Sequence, residues 1–306
     1  MELRHLVVGL ELGQLSNQAV ARAMSLAREF GARLEVVHGA GLEGRHLTPA
    51  RRAFLARHGG DALARATAAA RGKLELVVED PLFAGRPVED YLRVRPEVAA
   101  EALLAAVRAG GADLLVIGAH RQRKPFDFGG TGRAVLARSP CPVWVEPADG
   151  QRFERILAPV DLSPSTDLVL AAARSLAARF DVPVRVLHVF VPPELAYVTP
   201  LEPGPRPASV IDALREEERG ATRALVGAFD WGPLPVETEF AEGQAADVIL
   251  AHAGPRDLVV MGTHGHTGLA RAVLGSTAYR VLRHATGPML VVPQRPERYP
   301  EAGPGA

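Results

Sequence analysis

Short apolar runs alternate with amphipathic stretches along the chain. In its second half RILAPV (155–160), PVRVLHVF (183–190), PVETEF (235–240), DLVVMG (257–262) and PMLVVP (288–293) read as strands. A continuous apolar run such as RILAPV is what a strand covered on both faces requires. Between the runs, SPSTDLVLAAARSLAARF (163–180), DALREEERGATRALVGAF (212–229), AADVILAHA (245–253) and STAYRVLRHA (276–285) read as helices. The first of these opens on a Ser cap at Ser163, with Pro164 in its first turn. Strands alternating with helices predict an α/β fold with a parallel, doubly wound sheet and right-handed crossovers.

The same order runs through the first half, because the chain repeats itself. Residues 5–38 lie over 155–188 without a gap, with nine identities that run from Leu12/Leu162 to His38/His188. Composition alone yields about three over such a length. Further on, ADLLVIGAH (112–120) matches RDLVVMGTH (256–264), and GGTGRAVLARSPCPVWV (129–145) matches GSTAYRVLRHATGPMLV (275–291). Two related domains follow, 1–148 and 152–293, joined near EPADGQRFE (146–154). The first half is embellished by a polar, helix-rich stretch from about Thr48 to Arg71. The segment KLELVVEDPLFAGRPVEDYLRV (73–94) has no clear counterpart. Residues 193–209 are too rich in proline to pack, and 294–306 reads as a flexible tail.

Composition narrows the function classes. The 306 residues suit two domains, and 47% hydrophobic against 23% charged residues is the balance of a soluble globular protein. Lys plus Arg and Asp plus Glu number 35 each, so no overall charge invites nucleic acid or an anionic membrane. The N-terminal apolar stretch is too short for a signal peptide or a membrane span. A single cysteine, Cys141, sits between two prolines beside an apolar run; it reads as a buried, inert thiol of a reducing, cytoplasmic protein.

Candidate chemistry collects where strands end. In an open parallel sheet ligands bind beyond the carboxyl ends of the strands, at the point where the winding reverses. That rule selects the ends of the first, second and fourth strands of the second half, APVD (158–161), LHV (187–189) and VMGTHG (260–265). Asp161 can accept from ribose hydroxyls or simply start a turn. Gly262 and Gly265 let backbone amides approach an anion, and Gly275, Ser276 and Thr277 open a helix whose free amides form a phosphate seat. No Walker motif and no dinucleotide fingerprint is present. His264 and His266 are the titratable groups of this loop, and His188, in mid-strand, reads as structural. No carboxylate cluster marks a dedicated metal site.

Gly262-x2-Gly265-x9-Gly275-Ser276, set between DLVVM and VLRHATGPMLVVP, resembles the signature of the universal stress protein family. ILAPVDLSPSTDLVLAAARSLAARF, VRVLHV and AEGQAADVIL resemble that family's opening strand and helix, its second strand, and its glycine followed by a helix. The resemblance covers 154–293 closely and the first half more loosely, as in a tandem member. It implies two Rossmann-like five-stranded sheets of strand order 3-2-1-4-5. It also implies ATP, to which Mg2+ could be bound, held by Pro159, Val160, Asp161, Val189, Met261, Gly262, Gly265, His266, Gly275, Ser276 and Thr277. In that arrangement Asp161 meets the ribose, the Val189 backbone meets adenine, and the glycine loop with Ser276 and Thr277 holds the phosphates.

The first half departs from the motif. Glu11 replaces Asp161, Gly39 replaces Val189, Arg121 replaces Gly265 and Gly130 replaces Ser276, while Gly118 and Thr131 are kept. Seven residues separate Arg121 from Gly129, where nine separate Gly265 from Gly275. Its insert RQRKPFDF (121–128) brings three cations and two phenylalanines. These changes argue for an unoccupied first crevice. The expectation is a regulatory ATP-binding module rather than an enzyme; the alternatives are a slow ATPase or nucleotidyl-transfer enzyme, and a scaffold without nucleotide. The resemblance also implies an intramolecular pseudo-twofold pairing through CPVWV (141–145) and PMLVV (288–292), and leaves a further homodimer open.

Overall fold

The computed structural model describes residues 1–13, 16–43, 47–78, 83, 85–119, 129–148, 150–192, 208–263 and 274–294. Outside the described residues lie the insert 121–128, the proline-rich stretch 193–207, the loop carrying His264, Gly265 and His266, and the tail from 295 onward. The chain divides into two compact units, one built on Glu2–Gln151 and the other on Arg152–Leu269 with Leu274–Gln294.

The first unit runs β1 (His5–Gly9), α1 (Asn17–Phe30), β2 (Arg33–Glu43), α2 (Pro49–Val77), β3 (Leu92–Glu97), α3 (Ala99–Gly110), β4 (Leu114–Gly118), α4 (Gly130–Arg138) and β5 (Val143–Glu146). Its sheet has the order β3-β2-β1-β4-β5, with every pair parallel. The second unit runs β6 (Arg155–Val160), α5 (Thr166–Phe180), β7 (Val184–Phe190), α6 (Ala208–Ala228), β8 (Val236–Glu242), α7 (Ala245–His252), β9 (Asp257–Gly262), α8 (Ser276–His284) and β10 (Met289–Val292). Its order is β8-β7-β6-β9-β10, again parallel throughout. Each unit is therefore the expected doubly wound α/β sheet of order 3-2-1-4-5.

The apolar runs form strands because helices cover both of their faces. Ile156, Leu157 and Ala158 of β6 and Leu258 and Val260 of β9 are fully buried, as are Leu6, Val7, Val8 and Leu114–Val116 in the first unit. Burial of each larger side chain contributes about 1.5–3 kcal/mol, which offsets the about 1–2 kcal/mol cost of ordering its backbone. Among the described residues no helix is long and apolar enough to cross a membrane.

Two local expectations are corrected. The helix after β6 begins at Thr166, not Ser163, and Pro164 precedes its cap at Ser165. The cause is Asp161, whose Oδ1 accepts from the Ser163 N–H at 3.1 Å and holds the chain in a turn. Leu162 stands at φ 60° within that turn, and Thr166 N–H returns to Ser163 O at 2.9 Å. In the first unit the helix after β2 extends past Arg71 to Val77, so 73–77 belongs to α2. Thr48 caps its start by accepting from Arg51 N–H at 3.3 Å, and Pro49 occupies the first turn. The sequence 92–97, within the unplaced stretch and just beyond it, forms β3.

Cys141 is buried at 5% exposure, and burial pushes its thiol up to about 11. A thiol so placed is protonated at neutral pH and inert, as its flanking prolines and apolar run suggested.

Candidate functional site

The strands of the second unit separate to make a crevice. β6 pairs with β9 only from Arg155↔Asp257 to Leu157↔Val259, while it stays with β7 as far as Val160↔His188. β7 in turn stays with β8 through Phe190↔Glu242. Beyond Leu157 the β9-facing side of β6 is open, and beyond His188 the β6-facing edge of β7 is open. This is the winding reversal of the sheet, as the topology demands.

Pro159 is tolerated in a central strand for the same reason. Ile156 N–H donates to Pro183 O on the β7 side, and alternation directs the nitrogen of Pro159 to the β9 side, past the last pair. No ladder hydrogen bond is lost there.

A cavity of about 570 Å3 occupies the crevice, within the ~300–1,000 Å3 usual for small-molecule sites. Pro159 and Val160 line it from β6, Asp161 from the turn that follows, Val189 from β7, Met261 and Gly262 from β9, and Gly275, Ser276 and Thr277 from the start of α8. All of the sequence-selected residues that the structure describes thus border one space. Gly265 and His266 lie outside the described residues. Gly275 N–H donates to Thr263 O at 2.8 Å and Thr263 N–H to Val292 O at 3.0 Å, which fixes the start of α8 against the end of β9. The amides of Ser276, Thr277 and Ala278, all lining residues, fall in the first turn of α8, where a helix offers no internal acceptor.

Gly275 has φ −58° and ψ 148°, a conformation open to any residue. The backbone does not call for glycine there; what the glycine supplies is a cavity wall without a side chain. Paired strands lie about 4.8 Å apart, so β7 and β9, with β6 between them, are about 10 Å apart where they are paired and farther apart at their tips.

Several polar lining groups were not singled out from the sequence, among them Thr263, Thr166, Ser165 and Glu218. Thr263 follows Gly262 directly, and Thr166 comes from the delayed start of α5. Glu218 comes from α6, and its Oε2 lies 3.0 Å from His188 Nε2. It sits in the run REEER, which reads as a solvated helix face, and nothing in the sequence ties it to His188. His188 itself is buried with Nδ1 3.0 Å from Val160 O, a bond that His38 repeats with Leu10 O at 2.9 Å. That bond ties His188 to the end of β6, and its ring also lines the cavity.

The first unit has a smaller crevice, about 190 Å3, bordered by Glu11, His38, Gly39, Gly118 and Thr131 among others. A Cβ on Gly39 would lie 2.6 Å from both Ala99 N and Ala99 Cα, so the start of α3 is packed directly on β2 where Val189 stands in the other unit. Among the described residues, no group of three or more His, Cys, Asp or Glu is placed to hold a metal.

Comparison with known proteins follows the same division. The universal stress protein family matches twice, over residues 2–147 and 152–293. A universal stress protein of Methanocaldococcus jannaschii is 35% identical over 149 residues, 46% of this chain and 82% of that protein. Universal stress protein E of Escherichia coli K12 is 30% identical over 211 residues, 65% of this chain and 66% of that protein. Among solved structures, a universal stress protein from Archaeoglobus fulgidus superposes with a TM-score of 0.57 at 17% identity, covering 96% of this chain and 97% of that one. Its likeness bears on the fold. With a match in each half, the chain belongs to the universal stress protein family as a tandem, two-domain member.

Proposed function

We propose that this protein is a nucleotide-binding module of the stress response, with ATP held in the crevice of its second unit. The observation that carries this reading is the convergence of Asp161, Val189, Gly262, Gly275, Ser276 and Thr277 on one cavity of about 570 Å3. The open edge of β7 at Val189 suits the hydrogen-bonding edge of a planar base. Asp161, at the end of the middle strand, suits ribose hydroxyls. The first-turn amides of α8 and the hydroxyls of Ser276 and Thr277 suit phosphate, aided by the positive end of the helix dipole. Mg2+ enters this reading only as the counter-ion of the phosphates.

Calorimetric titration of the full chain with ATP tests the reading, with Gly275→Val alongside. Val adopts the backbone of Gly275 without strain and adds bulk at a residue that lines the cavity. Binding to the native chain, weakened at least tenfold in a Gly275→Val variant of unchanged circular dichroism, is the expected result. No binding of ATP, ADP or AMP at millimolar concentration, or equal binding by the variant, overturns it.

A further inference from the structure

The pair His188–Glu218 presents the cavity with a hydrogen-bond acceptor of defined character. Val160 O can only accept, so His188 Nδ1, 3.0 Å away, carries a proton. Nε2 lies 3.0 Å from Glu218 Oε2, and that contact needs one further proton, held on the ring or on Oε2. In both arrangements Oε2 is committed to His188 and Oε1 is left as an acceptor. Oε1 has no partner among the described residues, and the Glu218 side chain is 33% exposed where it lines the cavity. Phe240, its ring centroid 5.4 Å from that of His188, holds the imidazole from the β8 side. The pair also has a definite place. His188 directly precedes Val189, the residue whose open backbone edge marks the base end of the crevice.

We infer that Glu218, oriented by His188, selects nucleotides by accepting a hydrogen bond from the exocyclic 6-amino group of the purine. The inference rests on the nucleotide reading above. An acceptor at this wall favours adenine, which offers an N–H donor at C6. It disfavours hypoxanthine, whose 6-oxo group would set oxygen against oxygen, and it gains nothing from a purine with hydrogen at C6. Glu218 is then a specificity residue that touches the base, and His188 a positioning residue that acts through Glu218.

The experiment compares the dissociation constants of ATP, purine riboside 5′-triphosphate and inosine 5′-triphosphate for the full chain and two variants. The native chain is expected to bind ATP about tenfold more tightly than purine riboside triphosphate, and inosine triphosphate more weakly still. Glu218→Leu removes the acceptor and leaves a smaller apolar side chain, so the preference for ATP over the two analogues should fall at least threefold. Glu218→Gln donates its amide N–H to a neutral His188 Nε2 and keeps an acceptor oxygen, so the preference for ATP should survive. Preference retained in Glu218→Leu, or lost in Glu218→Gln, overturns the assignment while leaving ATP binding intact. Native chain that binds ATP and purine riboside triphosphate equally does the same. A native chain that binds none of the three overturns the nucleotide reading itself.

Discussion

Replacing Gly39 by Ala should destabilise the first unit, whereas the simplest expectation for Gly→Ala in a strand is the opposite. Gly39 lies outside the left-handed region, so Ala fits its backbone and would lower the entropy of the unfolded chain, a gain of about 0.4–1 kcal/mol. Against this stands the new Cβ, which meets Ala99 N and Ala99 Cα at 2.6 Å and Glu97 O at 2.9 Å. All three are backbone atoms, so relief requires α3 to move as a body. Overpacking of this kind costs about 1–3 kcal/mol, and rigid neighbours place it near the upper end. The net loss is about 2 kcal/mol, or roughly 4–8 °C in the melting of a unit of this size. The chain's two tryptophans report separately: Trp144 is fully buried in the first unit and Trp231 lies in the second. Fluorescence melting in a Trp231→Phe background follows Trp144 alone. A midpoint that is unchanged or raised by Gly39→Ala would show that α3 does not pack on β2, and would remove the reason given for the small first crevice.

Two further outcomes concern buried groups of the first unit. Glu146, 1% exposed, accepts from Arg22 Nε at 3.0 Å and Nη2 at 3.1 Å and from Trp144 Nε1 at 2.6 Å. Glu146→Ala strands a buried guanidinium and should cost about 3–5 kcal/mol in denaturant titration; Arg22→Met with Glu146→Leu should cost only the ~1–3 kcal/mol of the unsatisfied indole N–H. Equal losses in both variants would refute the charge-pair account. For Cys141 the folded thiol keeps its proton up to about 11 against an ordinary 9.0. Between these values the unfolded chain releases a proton that the folded chain retains, so stability is full below pH 9 and falls as the pH rises through the window, by about 3 kcal/mol at its end. Cys141→Ser should remove that fall, and the native thiol should resist a disulfide reagent at pH 8 until the chain unfolds.

The strands were legible because burial on both faces leaves continuous apolar runs, and the repeat supplied the division into units. Helix starts were less so. The delayed start of α5 depends on one hydrogen bond from Ser163 to the Asp161 side chain, and helical spacing of apolar residues does not register it. The length of α2 was obscured because only Ala70 and Leu74 of it are buried, so its apolar residues follow no clear face. Within the candidate site, glycines and hydroxyls announce themselves by spacing. Glu218 does not, since its meaning comes from a histidine on another element that lies within hydrogen-bonding distance. A charge in an acidic helical run acquires that role only when the fold sets it against the end of β7.

The divergence of the two crevices runs deeper than the loop residues that first suggested it. Gly39 pairs with Arg95 and Val189 with Ala241, so in register the same number of residues leads from each pair to the helix that follows, at Ala99 and at Ala245. Length is therefore not what separates them. The second unit leaves β8 through Gly243 at φ 142°, a conformation that side chains rarely adopt, with Gly243 N–H bonded to Phe190 O at 3.0 Å. The first unit has Glu97 at that step, which stays in the strand and pairs with Glu43 across an irregularity in β2. Val189 carries a full side chain where a single Cβ on Gly39 would overlap Ala99, so α7 starts farther from its strand than α3 does. Arg121→Gly or Gly130→Ser would bring the first-half motif nearer to the second in sequence, but the base end of its crevice would still be filled by α3. The glycine at 39 and the glutamate at 97 belong together, and a nucleotide crevice in the first unit would require both to change.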